Sequence, residues 1–272
     1  MSRIGWDVLT VLVLLGTALF AGDDLKPELK GGAIIVVVNL VFDGAKYYLQ
    51  NNHLVRLWWQ SYKPNDNKEL RISIAYLFKI QVDDKYLLIR NHRNQNGYQP
   101  IGGVYKYFEP EGRDDLKHFG IEVGHTIAGI PIDGDSRNDL RCKMRDRRKL
   151  IPFLKWFEKG QNREIDPCRE FYEELVEPGI LTRDVFRHIQ YKLIGKNYAP
   201  ITYSQYTMMF EFLYADIYEL KPVCREQQQH IEQLLQTPNS DLLFATEQEI
   251  MQGHAGDKHI LPHTKKLFTS KL

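Results

Sequence analysis

The stretch Asp166-Pro-Cys-Arg-Glu-Phe-Tyr-Glu-Glu-Leu-Val-Glu-Pro-Gly-Ile180 constrains the chain most, because both its ends and its faces can be read directly. Asp166 suits a helix cap, and Pro167 suits the first helical position, where its missing N–H costs nothing. Pro178-Gly179 stops the helix. Between these marks Glu170, Glu173, Glu174 and Glu177 fall at i, i+3, i+4 and i+7, so the carboxylates share one face. Phe171 and Leu175 turn the other way, toward a core. Like charges this close repel, and only Arg169 neutralises them locally. A hard divalent cation is the simplest repair, and Mg²⁺ prefers carboxylate oxygens. The competing reading is an ordinary solvated acidic helix, and Glu177 fits that reading best.

At 272 residues the chain holds one large or two small domains. Its formal net charge of +1 gives no electrostatic bias toward nucleic acid, so no DNA or RNA polymer is expected as a partner. Cys142, Cys168 and Cys224 have neither pairing nor metal spacing, and an odd number suits a reducing compartment.

The amino-terminal part has a different character. Residues 4–21 are apolar except for Asp7, Thr10 and Thr17, enough for about 27 Å of helix. After a polar break, residues 33–42 are nearly all apolar or β-branched, and Lys46, Tyr47 and Tyr48 suit interface anchors. This predicts two transmembrane helices, about 4–21 and 32–49, within a first segment 1–49. A cleaved signal peptide, a buried core element and a monotopic anchor are the competing readings. Asn39 and Asp43, at i and i+4, would face a partner helix or a pore rather than lipid. Arg3 before the first span and Lys46, Arg56 and Lys63 after the second place both termini in the cytoplasm. Residues 50–68, with Trp58 and Trp59, read as a juxtamembrane helix and linker.

Residues 69–272 read as one domain. A hairpin is expected from 71–81 and 86–90 around Asp83-Asp84. Gly102 and Gly103 end a strand where backbone can approach a ligand closely. Leu140, Cys142 and Met144 alternate with Arg141, Lys143 and Arg145, a strand with one basic face. That face is either a solvated edge or a phosphate-binding surface, since arginine forks suit phosphates. Residues 150–157 read as a helix, 185–194 and 205–218 as strands, and 223–236 as a polar helix. A strand over 242–245 leads into a capping box at Thr246 and Glu249. Residues 263–268 read as the last helix. His254, His259 and His263 read as surface or core residues rather than ligands.

Arg169-Glu170-x-x-Glu173-Glu174 resembles the signature of the Nudix hydrolases, whose upstream half is matched by Gly103 and Glu109. An insertion, 110–165, separates the halves, and Leu175-Val176-Glu177-Pro178-Gly179 departs from the usual ending. The resemblance implies an α+β fold: an α/β/α sandwich with a mixed sheet, carrying the insertion and preceded by the transmembrane helical hairpin. It implies that Glu170, Glu173 and Glu174 hold Mg²⁺ or Mn²⁺, that Arg169 positions Glu170, and that Glu109 completes the metal shell or acts as a base. The two spans, the interrupted signature and the run Tyr98-Gln-Pro-Ile-Gly-Gly-Val-Tyr-Lys106 resemble the SMODS-associated Nudix proteins, membrane effectors of bacterial CBASS anti-phage systems. That resemblance implies a multi-pass protein of the bacterial inner membrane. Its cytoplasmic domain would sense a cyclic oligonucleotide made by a CD-NTase, using Gly102, Gly103, Arg141 and Arg145. It would then oligomerise and disrupt the lipid bilayer, causing abortive infection. The alternative is a membrane-anchored, Mg²⁺-dependent hydrolase cleaving the phosphoanhydride bond of a nucleoside diphosphate derivative.

Overall fold

The structure, a computed structural model, describes residues 39, 43–44, 46, 51–62, 69–91, 97–122, 126–127, 130–131, 137–205, 207–237 and 239–269. Among them no helix is long and apolar enough to cross a membrane. This corrects the expected fold class. The described residues build a mixed α/β domain with two sheets and no transmembrane helical hairpin. The multi-pass placement in the inner membrane, with both termini cytoplasmic, loses its spanning helices in the same way. The segments 4–21 and 32–49 that carried it lie outside the described residues, apart from 39, 43–44 and 46. The expected linker over 63–68 lies outside them too. Chain contacts separate Met1–Leu57 from Trp58–Leu272; the second unit is described below.

The larger sheet contains β1 (Leu70–Lys79), β5 (Gly102–Val104), β6 (Ile121–Glu122), β9 (Arg141–Met144), β10 (Gln190–Tyr198), β11 (Thr202–Ser204) and β12 (Met209–Lys221). The smaller contains β2 (Gln81–Val82), β3 (Lys85–Arg90), β4 (Gly97–Gln99), β13 (Leu242–Thr246), β14 (His254–Ala255) and β15 (Lys258–Ile260). A short hairpin, β7 (Thr126–Ile127) with β8 (Ile130–Pro131), stands apart. Besides a helix over 51–62, the helices are α1 (Glu111–His118), α2 (Leu150–Lys159), α3 (Cys168–Phe171), α4 (Arg225–Gln236), α5 (Glu247–Gln252) and α6 (Lys266–Thr269).

β1 is the hub. Leu70, Ile72, Ile74, Tyr76 and Phe78 are fully buried, so one face of the strand is core from end to end. Burying side chains of this size contributes about 1.5–3 kcal/mol each before entropy is charged against it. The other face, carrying Arg71, Ser73, Ala75 and Leu77, is left to line a cleft. On one side β12 runs parallel to β1 in unbroken register from Arg71↔Glu211 to Lys79↔Glu219. On the other, β9 and β5 run antiparallel to successive lengths of the same strand.

The expected hairpin of 71–81 with 86–90 is split. Only β2 pairs with β3 around Asp83-Asp84, where Asp83 takes a left-handed φ of 53°. β1 and β3 belong to different sheets. The capping box at the start of α5 forms as read: Thr246 Oγ1 accepts from Glu249 N–H, and Glu249 accepts from Thr246 N–H.

The insertion is not an appendage. Its two ends are zipped together, Phe108 N–H donating to Asn162 O at 2.8 Å and Glu164 N–H to Lys106 O at 2.7 Å. Within it Leu140, Cys142 and Met144 are buried and Arg141 and Lys143 half-buried, as their alternation predicts. β9, however, is no solvated edge: it lies between β1 and β6. α2 then packs Leu150, Phe153, Leu154, Trp156 and Phe157 inward. Arg163, at the closing end, is buried with its guanidinium 3.7 Å from the Phe157 ring centre and Nε donating to Phe157 O at 2.7 Å.

Candidate functional site

A cleft of about 630 Å³ opens along the polar face of β1. Its residues change character along the strand. At one end stand Arg71, Ser73 and Arg141, which β9 sets directly opposite Ser73. At the other stand Leu77, Gly102 and Gly103 with Glu170, Glu173 and Glu174. Residues 71 to 77 at about 3.3 Å each separate these ends by roughly 20 Å. Arg90, Asn91, Gln99, Asp139, Arg169 and His263 add to the polar lining.

The acidic wall comes from α3 and the turn that continues it. Asp166 Oδ1 accepts from Cys168 N–H at 2.8 Å, the cap read from the sequence. After Phe171 the helix widens into a π turn over Tyr172–Val176, and Glu177 N–H donates to Tyr172 O. Phe171 and Leu175 are fully buried, as their spacing predicts, and Gly179, with φ 77°, ends the helix. The extra residue in the turn matters locally, because π turns re-aim side chains and concentrate at functional sites. Glu173 is exposed, Glu174 is tucked under β5, and Glu177 is left on the surface.

Arg169 organises the acids. Its Nη1 donates to Glu170 Oε1 at 2.6 Å and to Glu173 Oε2 at 3.2 Å, and its Nε donates to Glu164 Oε1 at 3.0 Å. Nη2 reaches Val104 O at 3.1 Å. Glu164, which sequence reasoning missed, comes from the closing end of the insertion, and its other oxygen accepts from Lys106 N–H. Glu109, the residue expected here, instead pairs with Arg113 at 2.6 Å and does not line the cleft. Arg145 also lies elsewhere, paired with Glu122 at 2.6 Å. The arginines that do line the cleft besides Arg141 and Arg169 are Arg71, paired with Glu211 at 2.9 Å, and Arg90. Arg71 was detectable as the polar phase of β1. Arg90 and Asp139 carried no sequence signal.

The two glycines are held by space. A Cβ on Gly103 would lie 2.0 Å from Glu170 Oε1, and one on Gly102 would lie 2.2 Å from Tyr76 O. Gly102 N–H donates to Glu174 Oε2 at 3.0 Å.

Burial pushes the Glu174 carboxyl up to about 8, with the Gly102 hydrogen bond opposing and the Glu170 and Glu173 charges adding to the rise. Burial also raises Glu170, against the pull of Arg169. His263 is pushed down to about 4 by burial and then by Lys266, so it enters the cleft neutral. For Glu174 the sign is fixed: a proton held in the folded state and lost in the unfolded one stabilises at low pH. Stability therefore falls as pH rises from about 4.5 toward about 8. Glu174→Gln keeps an oxygen for Gly102 N–H and removes the titration. Urea midpoints at pH 5 and pH 8.5 should lie closer together in this variant than in the parent; equal spacing would refute the assignment.

The acids do not form a ready metal site. Among the described residues no three His, Cys, Asp or Glu side chains are grouped to hold an ion. Glu170 is engaged by Arg169 and Glu174 by a backbone N–H. These donors, as placed, do not fit the Mg²⁺ or Mn²⁺ expected from the sequence.

Residues 69–268 match the family model described as SMODS-associated NUDIX domain. No curated protein and no solved structure matches the chain. Domains of the Nudix type generally use divalent metals, which sets the preceding geometry against the habit of the fold.

Proposed function

The chain belongs to the SMODS-associated NUDIX domain family, and from that membership, which fits an effector of the CBASS type, we propose that its cleft receives a cyclic oligonucleotide as a signal. The observation that carries this reading is the commitment of the acidic wall. Glu164, Glu170 and Glu173 all converge on Arg169, so their oxygens are committed to one guanidinium rather than grouped around a position for a cation. At the opposite end Arg141 and Arg71, the latter already paired with Glu211, offer fork-shaped donors for phosphodiester oxygens. Gly102 and Gly103 keep the floor of the cleft free of side chains at the acidic end. Binding of this kind needs no bond to break.

The test uses the full chain and isothermal titration with a panel of cyclic di- and trinucleotides, with and without Mg²⁺. At least one should bind, independently of Mg²⁺. Arg141→Ala should weaken it by about tenfold or more, the effect of losing one charge-assisted phosphate contact. The competing reading is hydrolysis of a nucleoside diphosphate derivative with Mg²⁺ or Mn²⁺ at Glu170, Glu173 and Glu174. It takes over if no cyclic nucleotide binds and the protein cleaves a phosphoanhydride in a reaction abolished by Glu173→Gln with Glu174→Gln.

A further inference from the structure

A second, smaller hollow of about 250 Å³ adjoins the cleft and shares Arg90, Glu173 and Glu174 with it. Its remaining lining divides into an apolar part, Ile89, Pro178 and Ile180, and a polar part, Asn239 and Asp241. We propose that this hollow is a base subsite selective for guanine, with the Asp241 carboxylate accepting from the donor edge of the base and Arg90 facing its acceptor edge. The inference rests on the nucleotide reading above and deepens it.

The chemistry follows from what each base offers. Guanine presents two adjacent donors, N1–H and the N2 amino group, and a carboxylate accepts both. Its O6 and N7 are paired acceptors that suit an arginine. Adenine has an acceptor at N1, which would meet a carboxylate with like polarity. Ile89, Pro178 and Ile180 give the flat ring apolar contact.

The polar groups are also held ready. Arg90 Nη2 is anchored by Tyr98 Oη at 3.3 Å and Ser240 O at 3.0 Å. Its Nε is buried without a hydrogen-bond partner and stands 3.6 Å from Asp241 Oδ1, beyond hydrogen-bond reach. The Asp241 main chain is fixed separately, N–H accepted by Asn239 Oδ1 at 2.8 Å and O accepting from Arg90 N–H at 2.8 Å. Changing the Asp241 side chain therefore leaves its loop tied. The subsite lies at the acidic end of the cleft, away from Arg71 and Arg141.

The experiment measures binding of cyclic di-GMP, cyclic di-AMP, cyclic GMP–AMP, 5′-GMP and 5′-AMP to the full chain and to Asp241→Asn. The guanine-containing member of each like pair should bind about tenfold tighter, the discrimination expected of one paired edge. In Asp241→Asn that preference should collapse while adenine ligands stay within about twofold. Equal binding of guanine and adenine ligands, or a preference that survives Asp241→Asn, overturns the subsite and leaves the sensing reading standing. If 5′-GMP is preferred through Asp241 but no cyclic nucleotide binds, the subsite stands and the sensing reading falls. If nothing binds, both fall.

Discussion

Arg169→Ala is expected to lower the stability of the domain by about 3–5 kcal/mol, the cost of stranding half-buried charges by removing their partner. Glu164 and Glu170 keep only 12% and 17% of their side-chain surface, and Arg169 itself 24%, so water screens the loss poorly. For a domain of this size that is a fall in Tm of roughly 6–20 °C. The loss is electrostatic rather than steric, which sets a second test. Adding Glu164→Gln and Glu170→Gln to Arg169→Ala removes the stranded charges and should restore more than half of the lost stability. A triple variant no more stable than Arg169→Ala would show that packing, not charge, was at stake. Calorimetry on the parent and both variants decides it.

Asp216→Ala is expected to be comparably severe, at about 3 kcal/mol, because it removes the carboxylate acceptor of two buried hydroxyls, at about 1–3 kcal/mol each. Asp216 is 6% exposed in the middle of β12. Tyr105 Oη donates to its Oδ2 at 2.8 Å, and Tyr214 donates to its Oδ1. Tyr105 also meets Tyr218 Oη at 3.0 Å. Burial raises the Asp216 pKa against these two hydrogen bonds, so the carboxyl is a costly group kept in place by its neighbours. Asp216→Asn keeps an acceptor for one tyrosine and should lose clearly less. Equal denaturant midpoints for Asp216→Ala and the parent would overturn this account.

These two sites show unevenly in the sequence. The acidic helix declares itself through spacing, caps and a breaker, all local signals, and Arg169, Glu170, Glu173 and Glu174 do meet in space. The upstream half misleads. A fixed spacing points to Glu109, but Glu109 turns away to Arg113, and Glu164 takes the place beside Arg169. Nothing local marks Glu164, because it reaches Arg169 only once Lys106 and Glu164 pair across the insertion. The alternation of β9 and β1 was readable, but not that β9 lies inside a sheet, since strand order depends on partners far along the chain. The π turn is equally silent, as its residues are ordinary helix formers. The transmembrane expectation rested on apolar run length with flanking anchors and basic residues, which do not distinguish a span from other uses of greasy sequence.

The zipped ends of the insertion separate two kinds of change. The acidic helix and the glycine strand meet through backbone pairing between 106–108 and 162–164, not through closeness in sequence. The excursion between those points supplies Asp139 and Arg141 to the opposite wall of the cleft. Substitution of Arg141 can retune what the pocket accepts while the Arg169 hub stays as it is. A lineage built this way can change what it holds by rewriting one strand of the insertion.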